Sequence, residues 1–432
     1  MKFSEKFQDA LLDVAEKVDS NQYLTAAKNA FVTWMPFIVV GSFSYLFKIL
    51  ICDTSIGLAA LIPAAAKLLP AFTAVQFGTL SLMALPITFL VAMNLANHDK
   101  VSPQGAGILA LCTYIAVSPQ TVTVTIEALT GTGAGIPSTA LGAQGLFVGM
   151  FIAILSEKFF AALMKIDKIK IKMPASVPAG VTASFNMLIP ILVVLYVISS
   201  AALLFRIATG SYLNEWVYKV VQAPLEILFQ SPAGVIGLVF ISQLFWFLGI
   251  HGGLVISPIR DPLMASALAA NIAAVSGGAV ATQAVTRGFW TYFCVAGGAG
   301  MILSLCLAIF IASKREDYRT IAKLGFVPAL CGVSEPMVFG VPLVLNPTFA
   351  IPFILNSCVS TGIALFATKI GFMACNVVDA PFGLPQPIGA LIGHGWQGVI
   401  VQLICIAVTT LIWIPFVLIS NKQAAQSQTE DA

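Results

Sequence analysis

The chain has 432 residues, of which 58% are hydrophobic and 9% charged, and its formal net charge at pH 7 is +3. Mean hydropathy is +0.94. Ordinary soluble domains carry roughly 25% charged residues, so this composition excludes one and describes a polytopic membrane protein. The small net charge, with its cations gathered in a few loops, excludes a nucleic-acid-binding face. The eight cysteines are scattered through apolar segments without CxxC or Cys/His ligand spacing. They read as small buried hydrophobes, and neither a metal site nor a cofactor is expected.

The opening segment, MKFSEKFQDALLDVAEKV, mixes charges of both signs and has no small-residue cleavage site, which argues against a signal peptide. Phe3, Phe7, Leu11, Val14 and Val18 fall on one helical face and predict an interfacial helix on the cytoplasmic surface. Apolar runs of about 20 residues, enough to cross ~30 Å of hydrocarbon, then recur at 30–51, 74–95, 104–118, 143–164 and 179–206. Pro63, Lys67 and Pro70 make the stretch between the first two a broken or half-inserted helix. Residues 120–145 hold no Lys or Arg and belong outside, whereas Lys165, Lys168, Lys170 and Lys172 form the densest basic patch and belong in the cytoplasm. Both assignments agree with a cytoplasmic N-terminus. Residues 214–229 mix charge and apolarity and predict a helix lying along the membrane.

From about residue 232 the apolar stretches are interrupted by Gly, Pro and isolated charges. The segments 251–285 and 325–345 predict broken helices or re-entrant hairpins, which are tolerable only where buried in protein or lining a wet cavity. Clearer spans lie at 288–312, 349–370 and 397–419. The expectation is an all-α integral membrane protein with about ten spans, two re-entrant hairpins and interfacial amphipathic helices. The cluster Lys314, Arg315, Arg319 and Lys323 favours the cytoplasm, while the parity of spans depends on how 251–285 crosses, so the side of this loop stays open. The division reads as a scaffold over 1–210, a substrate-binding part over 211–421 and a polar tail over 422–432.

Four stretches carry chemistry. In FWFLGIHGGLV, His251 sits at the end of an apolar helix before Gly252 and Gly253, where glycines admit another backbone or a ligand. An imidazole at membrane depth needs a partner, and a nearby carbonyl would serve as well as a ligand. In CGVSEPMVFGVPLVLNP, Glu335 is the one acidic residue of an uncharged stretch punctuated by Gly and Pro. That pattern predicts a turn between half-helices, whose ends expose backbone groups able to hold polar ligand atoms. A converging His and Glu suit binding a hydroxyl and drawing off its proton, and suit proton coupling equally. In DAPFGLPQPIGALIGHGWQG, Phe382, Gln386, His394 and Trp396 offer aromatic faces and amides to a saccharide, although His394 reads equally as part of a loop. Adjacent Arg260 and Asp261 read as an ion pair fixing the segment after His251.

The ordered motifs MPFIVVGSF, VPAGVTASFNMLIP, GIHG and EPMVFGVPLVLNP together resemble the membrane-embedded enzyme IIC of the lactose/cellobiose/chitobiose branch of the bacterial phosphoenolpyruvate-dependent sugar phosphotransferase system. The resemblance implies a multi-pass protein of the bacterial plasma membrane, a homodimer joined through its N-terminal helices. Its C-terminal domain would shift like an elevator, carrying a β-linked disaccharide. It implies that His251 and Glu335 hold the sugar 6-hydroxyl and that Glu335 acts as the base, with Gly252, Ser334, Phe382 and Gln386 completing the substrate set. The phosphoryl group would come from the phosphocysteine of a separate cytoplasmic enzyme IIB, charged by IIA, docking near Lys165 to Lys172. The chain departs from related sequences in having Phe382 where they often carry tryptophan and Lys28 where they carry arginine. Which disaccharide is carried is not fixed by these motifs. A proton-coupled sugar symporter using the same His251 and Glu335 is the alternative.

Overall fold

The computed structural model describes residues 17, 20–55, 57–126, 129–174 and 176–430; the N-terminal interfacial helix expected over residues 1–20 lies almost wholly outside them. The described chain is built of helices apart from one hairpin. Among the described residues six helices are long and apolar enough to cross a membrane, up to eight if each of two bent pairs is one span; Pro103–Val117 is a shorter apolar helix. The protein is therefore an all-α multi-pass membrane protein, since a helix satisfies its own backbone where water is absent.

The chain divides into two compact units. Of the described residues, one takes in those of Asp19–Ser44 and Leu61–Leu225; the other takes in those of Tyr45–Ala60 and Glu226–Ala432.

The first unit contains most of α1 (Gln22–Phe47), then α2 (Leu69–Gln76), α3 (Ala84–Asp99) and α4 (Pro103–Val117). The expected break before α3 is present: a 3-10 turn at Pro63–Leu68 precedes α2, and the stretch Pro63–Ser81 is bent by 42° against α3. Pro at the start of helical turns is compatible with this because the missing N–H is unpaired there in any case. Ser102 caps α4 by accepting from the Gly105 amide at 3.2 Å. The segment expected outside from its lack of Lys and Arg contains a hairpin: β1 (Thr121–Ile126) pairs antiparallel with β2 (Leu129–Ala134). Its alternating TVTVT is a strand signal that the hydrophobic surroundings obscure. α5 (Leu146–Met164) and α6 (Ala179–Thr209) complete a core in which Ala84, Ala106, Tyr114, Ile152, Phe160 and Val194 are buried. Glu157, on α5, is fully buried without a hydrogen-bond partner, 3.7 Å from the Lys158 ammonium that pairs with Asp99 at 2.6 Å.

At 31 residues α6 spans about 46 Å, longer than the ~30 Å hydrocarbon core. α7 (Leu213–Val217) runs through a π turn into α8 (Ala223–Gln230), and α9 (Pro232–Phe247) follows.

In the second unit, α10 (Gly252–Ser276) is followed by an extended return that lies back along it. Asn271 holds the return at Gln283 through both its amide groups, at 2.8 and 2.9 Å, and Gln230 pins Val285 in the same way at 2.9 and 2.8 Å. This is the first interrupted segment expected from sequence, a helix with an irregular return whose backbone polar groups are satisfied by buried amides. α11 (Arg287–Phe289) continues through a π turn, and α12 (Ile302–Ala312) follows. α13 (Glu316–Leu330), a tight turn and α14 (Glu335–Gly340) make the second interruption, before α15 (Ala350–Lys369) and α16 (Gln386–Glu430), kinked at Gly395. Trp413 centres the core, edge-on to Phe349 at 5.9 Å and donating to the Gly300 carbonyl at 3.2 Å.

Candidate functional site

The turn between α13 and α14 places Glu335. Gly332 has φ +86°, a conformation that L side chains rarely adopt, and it reverses the chain after Cys331. Buried Ser334 then packs on Gly298, where a Cβ would stand 2.4 Å from the serine Cβ, so the turn is clamped by backbone-level contact. Glu335 follows as the first residue of α14, half-buried. Among the described residues it has neither an ion-pair nor a hydrogen-bond partner, so its carboxylate is tied to no Lys or Arg there.

His251 caps α10: its Nδ1 accepts from the Leu254 amide at 3.2 Å, and its ring lies 4.3 Å from the Trp246 ring. An Nδ1 that accepts leaves the proton of a neutral imidazole on Nε2, and the residue as a whole is exposed. Gly252 has a packing reason of its own. A Cβ there would lie 1.8 Å from the Ser242 carbonyl, so glycine is what lets α10 start against α9. The segments bearing His251 and Glu335 are joined directly: the Leu345 amide donates to the Phe247 carbonyl at 2.9 Å. Gly249, at φ +85°, also approaches Val344 closely enough that a Cβ would sit 3.1 Å from it.

The loop before α16 brings Phe382 and Gln386 to the same turn. A Cβ on Gly332 would be 3.1 Å from the Gln386 amide nitrogen and 3.8 Å from the Phe382 ring. Phe382 is 70% exposed whereas Gln386 is buried and accepts from Gln402 at 3.3 Å. A narrow cleft here is walled by Arg287, Thr291, Tyr292, Cys331, Phe382 and Gln386. His251 stands apart from this wall, at the α9–α10 junction. Arg260 pairs with Asp261 at 2.7 Å, as expected, and lies 5.1 Å over the Trp290 ring.

His394 and Trp396 do not join the cleft. His394 is buried, hydrogen-bonded to the Ala374 carbonyl at 3.0 Å and edge-on to Phe293 at 5.0 Å; Trp396 is exposed beside Phe372.

Two residues of the cleft region had been passed over in the sequence. Arg287 opens an apolar run, and the carboxylates of Asp261 and Asp379 act on its charge electrostatically. Asp379, immediately before the APF motif, accepts from the Gly288 amide and from Asn376, both at 3.1 Å. Asn376 in turn accepts from the Thr286 hydroxyl. These bonds tie the Phe382 loop to the start of α11 and put a carboxylate at a helix N-terminus, where charge and unpaired amides favour it. The available signal was the isolated charge in each apolar stretch.

In the loop over residues 165–172, Asp167 accepts from Lys170 at 2.6 Å, and the Lys170 ammonium holds its carboxyl below the usual range. Lys165, Lys168 and Lys172 stay exposed. In the other basic loop Arg319 caps carbonyls of Phe310 and Ser313, and Arg315 grips Asp317 at 2.5 Å.

Comparison with known proteins agrees with this architecture. The family model described as "Phosphotransferase system, EIIC" matches residues 28–357. The oligo-beta-mannoside-specific EIIC component of Bacillus subtilis (strain 168) is 28% identical over 99% of this chain and 96% of its own length. The cellobiose-specific EIIC component of Lactococcus lactis subsp. lactis (strain IL1403) is 28% identical over 95% of this chain and 96% of its own. The crystal structure of the transporter ChbC, the IIC component from the N,N'-diacetylchitobiose-specific phosphotransferase system, superposes with a TM-score of 0.90 at 29% identity, covering 97% of this chain and 98% of that one. With three quarters of its length matched by the family model and nearly all of it by these relatives, the chain belongs to the EIIC family of phosphotransferase-system membrane components.

Proposed function

We propose that this EIIC component imports a β-linked disaccharide and presents its 6-hydroxyl for phosphorylation by a separate, cytoplasmic IIB protein. The observation that carries the reading is Glu335: a half-buried carboxylate on a tight turn, without an ion-pair partner among the described residues, on a segment bonded to the one that holds His251. The disaccharide class is supported by the cellobiose- and diacetylchitobiose-specific relatives.

In the proposed step the sugar oxygen attacks the phosphorus of the IIB phosphocysteine. The O–P bond forms as the S–P bond breaks, the cysteine leaves as thiolate, and the hydroxyl proton passes to Glu335. His251, through Nε2–H, donates to the same oxygen and orients it. Phe382 covers the apolar face of a ring, Gln386 and Ser334 hold the turn that carries the base, and Gly252 fixes the height of His251. The unit built around residues 226–432 would carry the sugar, moving by an elevator-type shift. The unit around residues 61–225 would serve as scaffold and as the interface of a homodimer, with the exposed lysines of the 165–172 loop meeting IIB in the cytoplasm.

Vesicles containing Glu335→Gln protein, supplied with IIA, IIB and a phosphoryl donor, test the reading. Phosphosugar formation is expected to fall by about 10²- to 10⁴-fold, the size of a general-base contribution. Turnover near the wild-type rate would overturn it. Uptake of unmodified sugar driven by a pH gradient alone would establish the symporter instead.

A further inference from the structure

A cavity in the unit around residues 61–225 is used by none of this chemistry. It lies between the 119–145 segment and the start of α7, and its volume of about 390 Å³ falls in the range of roughly 300–1,000 Å³ typical of small-molecule sites. Its polar wall is Thr139, Gln144, Asn214, Glu215, Tyr218 and Lys219.

The frame is fixed before any ligand arrives. Asn214 donates to the Tyr114 hydroxyl at 2.9 Å, Tyr114 donates to the Ala140 carbonyl, and Gln222 donates to the Ala143 carbonyl at 3.1 Å. These bonds lock the foot of α7 against the turn that precedes α5. The Asn214 side chain is 6% exposed, and its amide oxygen, buried behind the wall, has no hydrogen-bond partner among the described residues. Glu215 and Lys219 are four residues apart, at the point where α7 widens into a π turn, an irregularity frequent at functional sites. Neither makes an ion pair or hydrogen bond among the described residues, so both remain available.

The balance of groups selects the ligand. One carboxylate and one ammonium cancel, which disfavours a free anion against Glu215 and a metal cation against Lys219. Amides, hydroxyls and charged ends supply donors and acceptors together, and the rings of Pro119 and Pro137 add apolar faces. That is the complement of an uncharged ring carrying hydroxyls on its rim. A zwitterionic lipid headgroup would match the charges, but the wall contains no Leu, Ile, Val or Phe along which an acyl chain would run.

We propose that this cavity is a second saccharide site, distinct from the Glu335 turn and the Phe382 cleft, which captures the neutral disaccharide on the membrane face to which residues 119–145 belong. The proposal rests on the reading of the chain as a disaccharide importer.

The test uses the full chain in nanodiscs of phosphatidylglycerol alone, titrated with cellobiose and followed by calorimetry and by tryptophan emission, since Trp216 adjoins Glu215. In Glu335→Gln protein a weak residual binding event is expected to persist. Adding Glu215→Gln and Lys219→Met should weaken it by about tenfold, the scale of one or two lost hydrogen bonds. In the otherwise unmodified chain the same pair should raise the KM for uptake severalfold at unchanged kcat, the mark of lost ground-state binding. Lys219→Gln alone should give an intermediate effect and guards against misfolding of the pair. Absence of residual binding, indifference of that binding to the two substitutions, or native mass spectra showing phosphatidylethanolamine retained through Glu215 and Lys219 without sugar binding would each overturn the second site. Wild-type phosphorylation by Glu335→Gln protein would instead sink the importer mechanism, so the two failures are separable.

Discussion

The Leu345 amide donates to the Phe247 carbonyl across 2.9 Å, and Leu345 does so from the left-handed region at φ +53°. That one bond closes the chain between the turn that carries His251 and the segment that carries Glu335. Leu345→Pro removes the donor and demands φ near −65°, so it should lower stability by about 3 kcal/mol or more. Leu345→Gly keeps the donor and accepts the conformation; relief of strain and added chain entropy then oppose each other to within about 1 kcal/mol. Thermal unfolding of the two purified variants checks the difference.

His251→Ala removes both a helix cap and the ring against Trp246, so it should cost about 1 kcal/mol of stability as well as sugar affinity. His251→Asn restores a good cap without reaching the sugar. Its melting temperature should recover most of the loss while phosphosugar formation does not. Parallel recovery of both readouts would leave His251 with a capping role alone.

Gly252→Ala forces a methyl group to within 1.8 Å of the Ser242 carbonyl, which is backbone and cannot swing away. Separation of α9 from α10 should cost about 1–3 kcal/mol, visible as a lower unfolding midpoint. The neighbouring Gly253→Ala meets only the flexible His251 and Arg260 side chains and should be milder.

Phe382 is 70% exposed at the cleft, so enlarging it meets little resistance. Phe382→Trp should tighten disaccharide binding a few-fold through greater ring contact, and Phe382→Ala should weaken it by about tenfold. Equilibrium binding to the purified protein distinguishes these from effects on turnover.

Arg315 donates two hydrogen bonds to Asp317 and holds its carboxyl below the usual range. A depressed carboxyl stabilises the fold above its unfolded pKa and loses that contribution as pH falls through the folded value. Because Asp317 is more than half exposed, screening limits the effect to under about 1 kcal/mol. Asp317→Asn should therefore lower stability slightly at neutral pH, and the difference from wild type should vanish at pH below the carboxylate range.

The sequence by itself determined the membrane class, the placement of most long helices, the two interrupted segments and the ordered motifs around His251 and Glu335. These are local properties: hydropathy over twenty residues, proline and glycine as breakers, and an isolated charge in an apolar run are all read within one segment. Arg260 with Asp261 was legible for the same reason, the partners being adjacent. Only the tertiary structure decided that His394 is a core residue and Phe382 a wall residue. It also decided that Asp379 and Asn376 moor the Phe382 loop to α11, and that Gly252 serves the contact between two helices. Each of those outcomes turns on what lies opposite a side chain, and opposition across tens or hundreds of residues is set by packing rather than by spacing. The hairpin over residues 121–134 and the cavity at Glu215 and Lys219 belong to the same class, because a strand pair or a pocket exists only once distant backbone has been brought alongside.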